Sequence, residues 1–152
     1  MDSVLASDAK NALRPSTRAA IFNGDNRELM HDLPAACVDL VVTSPPYNIG
    51  KVYEKKTDLD TYIAAQREVV SAAARLLKPT GSICWQVGNW VENGRIVPLD
   101  IVLYPLFEEN GLVLRNRIVW TSGMVFIHSD GSAGGTRRSC GSRETQMITT
   151  SI

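Results

Sequence analysis

Residues 38–48 read Val-Asp-Leu-Val-Val-Thr-Ser-Pro-Pro-Tyr-Asn, an apolar, β-branched run that stops in two consecutive prolines. A run of this kind suits a strand covered on both faces inside a parallel sheet, and such strands deliver their carboxyl ends to ligand crevices. Pro45 and Pro46 fix φ near about −65° and remove two backbone donors, so the ladder ends and the carbonyls of Ser44 and Pro45 point outward with no N–H beside them. A turn rich in acceptors suits a group that carries two N–H bonds. An amino group on an aromatic ring has its lone pair delocalised into the ring. Accepting both of its N–H bonds, on Ser44 Oγ and the Pro45 carbonyl, draws that lone pair back onto nitrogen. Tyr47 then offers an aromatic face for a base taken out of its stack, a contact worth ~1–3 kcal/mol.

At 152 residues, 44% hydrophobic and 21% charged, the chain is long enough for one domain with a core and has the composition of a soluble globule. Sixteen basic and sixteen acidic residues cancel, so any groove for nucleic acid must come from local clusters. Cys37, Cys84 and Cys140 are odd in number and contain no Cys-x-x-Cys pair, which argues against a disulfide framework and a zinc site and for a reducing cytoplasm. No metal is expected. No stretch has the ~20 apolar residues that span a bilayer, and residues 1–10 lack the pattern of a signal peptide.

The spacing predicts a loose leader over 1–17, a short strand Ala19–Phe22, a short helix Asn26–Leu33, and then the strand that carries the turn. Thr57 suits the N-cap of a long core-packing helix that Lys78-Pro79-Thr80-Gly81 stops. Ser82–Val87 reads as a strand whose end, Gly88-Asn89-Trp90, lies beside Ser44–Tyr47 if the two strands are parallel neighbours. A helix from Pro98 to about Asn110 and a strand Leu112–Trp120 follow, with Pro105 expected to kink or shorten the helix. Alternating strands and helices imply an α/β domain, one half of a doubly wound parallel sheet. Trp85 and Trp90 suit packing, with Trp90 the better placed of the two to stack a base. Arg115 and Arg117 either line a groove or sit as ordinary exposed strand arginines.

The block Val38–Gly50, with Phe22-Asn23-Gly24-Asp25 upstream, Cys84–Asn89, and Leu114–Trp120, resembles the DNA amino-methyltransferases that act on adenine N6 or cytosine N4. The resemblance covers about residues 20–120. It implies an incomplete Rossmann-like sheet, the catalytic half of a class I methyltransferase domain over residues 18–120, and S-adenosylmethionine as cofactor. It also implies double-stranded DNA with one base flipped as substrate, and a restriction endonuclease as a cognate partner. By the same resemblance Ser44, Pro45, Pro46 and Tyr47 are catalytic. Asp25 and Thr43 fall on the cofactor side, although Asp25 equally suits a turn, and Asn48 falls on the DNA side. Lys51, Lys55 and Lys56 follow the turn closely and either contact phosphates beside a flipped nucleotide or form an ordinary solvated loop. Attack by the amino nitrogen on the methyl carbon is direct and in line, without a covalent enzyme intermediate. Enzymes acting on RNA or on protein glutamine share a Pro-Pro-Tyr turn but usually place Asn before it, so Ser44 favours DNA. Ser44 also leans slightly toward cytosine. A third reading is a non-enzymatic remnant that binds DNA weakly.

Half of residues 121–152 are Gly, Ser or Thr, and no periodicity survives there. Reading the codons from Ser122 one step out of frame can return a string similar to the segment that follows Trp120 in this family. The sequence therefore predicts an out-of-frame, disordered tail over 121–152. Phe-x-Gly-x-Gly, the cofactor loop of the resembled group, does not occur in the chain, so little activity is expected from it alone.

Overall fold

A computed structural model describes residues 13–46, 57–121 and 144–151. The elements are α1 (Asn26–Asp32), β1 (Val38–Thr43), α2 (Leu59–Leu76), β2 (Leu77–Val87), β3 (Asn89–Glu92), β4 (Arg95–Pro98), α3 (Leu99–Glu108), β5 (Val113–Thr121) and β6 (Glu144–Ser151). Four strands form one sheet in the order β1-β2-β6-β5, and β3 and β4 form a separate hairpin. β1 and β2 are parallel, whereas β6 runs antiparallel to both β2 and β5. The sheet is thus mixed, not wholly parallel as the strand-helix alternation implied.

Three other expectations are corrected. Glu144–Ser151 is a strand between β2 and β5, not part of a disordered tail, because Ile148 and Thr150 alternate inward and are buried. Residues 122–143 lie outside the described residues, as do residues 1–12 of the expected leader. Ala19–Phe22 is not a strand: it has no partner in the sheet, and the chain enters α1 from irregular backbone. The hairpin Asn89–Pro98 was not expected at all. Its signal is Asn93-Gly94, where φ is +50° and +75°, the pair of left-handed residues that tight two-residue hairpins need. Gly94→Val should cost about 1–2 kcal/mol, since a β-branched residue is strained at that φ, and the loss is read as a fall in urea midpoint.

α2 begins one residue later than the sequence suggests. Asp58 is its N-cap and accepts from Thr61 N at 2.8 Å and Thr61 Oγ1 at 2.7 Å. The helix passes straight into β2 at Leu77, and Lys78–Gly81, expected as a stop, lies in β2 where its register with β1 shifts. Gly81 eases the close approach there, because a Cβ would lie 3.0 Å from the Lys78 carbonyl oxygen and 3.2 Å from that of Asp39, tight enough that the backbone would have to give by a few tenths of an ångström. α3 starts after Pro98, which serves as its N-cap, and Pro105 is accommodated near its end. Gly111, at φ +77°, then reverses the chain into β5.

α2 and α3 share one face of the sheet. Their inward residues Val70, Ala73, Leu99, Leu103, Leu106 and Phe107 pack with Ile83, Trp85, Val87 and Ile148 in one cluster. Trp85 meets Phe107 edge to face at 5.5 Å, and Trp90 meets Tyr62 likewise at 6.2 Å. α1 is tied to α2 by Arg75, which donates to the carbonyls of Met30 and Leu33. Cover on both faces was expected for β1. Val41 does face the core, but Leu40 is 53% exposed and Val42 66%, because the packed helices all lie on the other side.

Candidate active site

The parallel register Leu40↔Ser82, Val41↔Ile83, Val42↔Cys84, Thr43↔Trp85 puts the carboxyl ends of β1 and β2 side by side. Ser44, Pro45 and Pro46 leave the sheet there as irregular backbone, Ser44 and Pro46 exposed and Pro45 half-buried. Neither proline has an N–H, so neither can donate a backbone hydrogen bond at this corner. Tyr47, Asn48, Lys51 and Lys55 lie outside the described residues. At the matching end of β2, Gly88 is buried and Asn89 opens the hairpin, its amide oxygen buried and without a hydrogen-bond partner among the described residues. Trp90 is 1% exposed in the core and presents no face for a base.

Asp25 is the N-cap of α1. Its carboxylate accepts from Arg27 N at 2.9 Å and from the Arg27 guanidinium at 2.6 Å. These hydrogen bonds, with the side-chain contact to Arg27 the strongest, lower its pKa from the ordinary 3.8 to about 2. A depressed carboxylate contributes stability that is complete above its unfolded pKa and is lost as pH falls toward the folded one. The difference in urea midpoint between the protein and Asp25→Asn, which keeps a capping side chain, should therefore close between about pH 5 and about 2.

Thr43 is half-buried. It shares a cross-strand row with Trp85, Ile148 and Arg117, which places it on the helix-covered face.

Both β5 arginines are engaged. Arg115 Nε donates to Ser151 Oγ at 2.7 Å, and Arg117 Nε donates to Asp100 Oδ2. Asp100 is 2% exposed, in the first turn of α3, so this ion pair pins α3 to β5 at the level of Thr43. Sequence reading missed it, since an acid in a first helical turn reads as a helix-dipole residue. Beside the pair lies a cavity of about 140 Å³ walled by Ile101, Tyr104, Leu114 and Ile148. Among the described residues there is no group of acidic, Cys and His side chains that would hold a metal, and no helix long and apolar enough to cross a membrane.

A parallel strand pair whose first member ends in Ser-Pro-Pro, backed by helices on one face and flanked by a reversed strand, defines part of a class I methyltransferase fold. Residues 38–140 match the model of the DNA methylase family N6_N4_Mtase, and the chain belongs to that family. It is 50% identical over 101 residues to the type II methyltransferase M.BglII of Bacillus subtilis, covering 66% of this chain and 28% of that protein. It is 34% identical over 129 residues to the type II methyltransferase M.ScaI of Streptomyces caespitosus, covering 81% and 41%. TTHA0409 of Thermus thermophilus, designated a DNA modification methylase and solved with S-adenosyl-L-methionine, superposes with a TM-score of 0.60 at 25% identity, over 84% of this chain and 51% of that one. The cytosine-N4-specific PvuII DNA methyltransferase shares the fold, with a TM-score of 0.61 at 20% identity over 86% and 48%. The chain thus spans about half or less of the length of these relatives.

The solved complex of TTHA0409 with S-adenosyl-L-methionine agrees with the cofactor that the family implies. Among the described residues, the Asp25 carboxylate accepts from Arg27 N and the Arg27 guanidinium, and Thr43 lies on the helix-covered face.

Proposed function

We propose that the protein containing this segment methylates the exocyclic amino group of cytosine (N4) or adenine (N6) in DNA, with S-adenosylmethionine as donor. The observation that carries the reading is the placement of Ser44-Pro45-Pro46 at the carboxyl end of β1, beside the end of parallel β2. Ser44 Oγ and the Pro45 carbonyl accept the two N–H bonds of the flipped base, and Tyr47 stacks against its ring. The lone pair is thereby returned to nitrogen, which becomes the nucleophile. No side-chain nucleophile is needed, in keeping with the lack of cysteine in the turn. Asn48, Lys51 and Lys55, in the segment that follows, supply contacts to DNA. The type II designation of M.BglII and M.ScaI supports a cognate restriction endonuclease, and free thiols at Cys37 and Cys84 suit the cytoplasm.

The test is a chimera in which the matching segment of this chain replaces the 101 matched residues of M.BglII. After incubation with DNA and S-adenosylmethionine, nucleoside mass spectrometry should detect N4-methylcytosine or N6-methyladenine. A folded chimera that yields neither would overturn the reading.

A further inference from the structure

The Ser44-Pro45 corner provides for the amino group of a flipped base but not for the ring nitrogen beside it. Cytosine N3 and adenine N1 both adjoin the amino-bearing carbon, and each carries a lone pair that lost its Watson–Crick donor when the base left the duplex. An acceptor enclosed without a donor is costly, and Pro45 and Pro46 have no N–H to give. The donor must come from a neighbouring element.

Asn89 is the polar side chain that the fold brings to this place. β1 and β2 run parallel with Thr43 beside Trp85, and the same register carried past Thr43 brings Pro45 level with Val87. β2 ends at Val87, and Gly88 has no side chain to intervene, so the first side chain beyond the strand end is that of Asn89. At ~3.3 Å per residue along a strand and ~4.8 Å between strands, it stands within side-chain reach of a base seated on the Pro45 carbonyl. Its backbone is firmly placed. Asn89 pairs with Pro98 at the base of the hairpin, the adjoining Trp90 is 1% exposed and edge to face with Tyr62, and Val97 packs on the same core.

Of the two amide atoms, Oδ1 is the enclosed one, without a hydrogen bond among the described residues, and Nδ2 is the outward one. An enclosed amide atom without a partner calls for a reason other than packing, which an apolar residue would serve better. A side-chain amide also suits the chemistry of the site. Nδ2 donates at any pH and brings no charge near a nitrogen that becomes positive in the reaction, whereas a Lys or Arg donor would repel it.

We propose that Asn89 Nδ2 donates to the ring nitrogen next to the amino group, N3 of cytosine or N1 of adenine, and so fixes the orientation of the base on the Ser44-Pro45 corner. Thymine and guanine carry an N–H at the corresponding atom, so the same donor rejects them. The assignment rests on amino-group methylation as the reaction.

The test uses the M.BglII chimera and DNA in which the base that it methylates is replaced by 3-deazacytosine or 1-deazaadenine. Either analogue keeps the amino group and has C–H in place of the ring nitrogen. Asn89→Ala should lower kcat/KM on ordinary DNA about 10–30-fold and leave kcat/KM on the deaza DNA unchanged, since the bond that it removes is already missing there. Asn89→Asp, which keeps the size and loses the donor, should fall at least as far on ordinary DNA. A loss of equal size on both DNAs would make Asn89 a structural residue, and full activity of Asn89→Asp would show that no donor is needed; either result overturns the assignment while the reaction stands. A chimera that methylates neither base in ordinary DNA overturns the reaction, and the assignment with it.

Discussion

Ser44→Ala in the M.BglII chimera is expected to lower the rate of methyl transfer about 100-fold, equivalent to about 2.7 kcal/mol of transition-state stabilisation. The size follows from what Ser44 Oγ does. In the ground state the amino lone pair is spread into the ring and the N–H bonds are ordinary donors. As nitrogen becomes pyramidal and positive its N–H bonds become stronger donors, so the acceptor gains most where the barrier lies. The loss should therefore fall on kcat, with the KM for DNA nearly unchanged. Pro45 offers only a backbone carbonyl, which no side-chain substitution removes, so a residual rate should survive Ser44→Ala. Steady-state kinetics with varied DNA check this, and a large rise in KM at constant kcat would assign Ser44 to DNA binding instead.

Phe107→Ala is expected to destabilise the chain by about 3–5 kcal/mol. Phe107 is fully buried at the centre of the cluster, edge to face with Trp85, and its ring lies where α3 meets β2. Deletion removes the transfer energy of the ring and leaves a cavity between elements that α2 and the Asp100–Arg117 pair hold in place, so collapse is limited. Ordinary domains hold only about 5–15 kcal/mol in all, and a sheet covered on one face belongs near the bottom of that range. The variant should lose its cooperative urea transition followed by tryptophan fluorescence. Val42→Ala, at a side chain 66% exposed, should shift the midpoint by less than about 0.5 kcal/mol in the free chain.

These contrasts mark how far the sequence could be read. The helix stripe of α2, the β1 run, the α3 helix ahead of Gly111 and the β5 strand follow from periodicity and end signals, and each formed, with α3 ending at Glu108. The adjacency of the β1 and β2 carboxyl ends followed from chain order. Burial on both faces of β1 did not follow, because an apolar run records the environment a strand is built for, and Leu40 and Val42 still lack their cover here. The hairpin was missed although Asn93-Gly94 announces it, since Gly88-Asn89-Trp90 reads as the end of the preceding strand. β6 was missed for a deeper reason. Glu-Thr-Gln-Met-Ile-Thr-Thr-Ser has one strongly apolar pair, and only pairing with β2 on one side and β5 on the other makes it a strand. The Asp100–Arg117 pair joins residues 17 positions apart through a reversal of the chain at Gly111, a contact no local pattern encodes. Within the site, residue types were legible at Ser44–Pro46, whereas Asp25 became intelligible as a helix cap only once Arg27 was seen to occupy its carboxylate.

The most direct measurement is a crystal structure of the chimera with its DNA and an unreactive cofactor analogue. The account predicts a nucleobase outside the duplex with its amino nitrogen about 2.7–3.2 Å from both Ser44 Oγ and the Pro45 carbonyl oxygen. A flipped base whose amino group is held elsewhere, with water on those two oxygens, would contradict it.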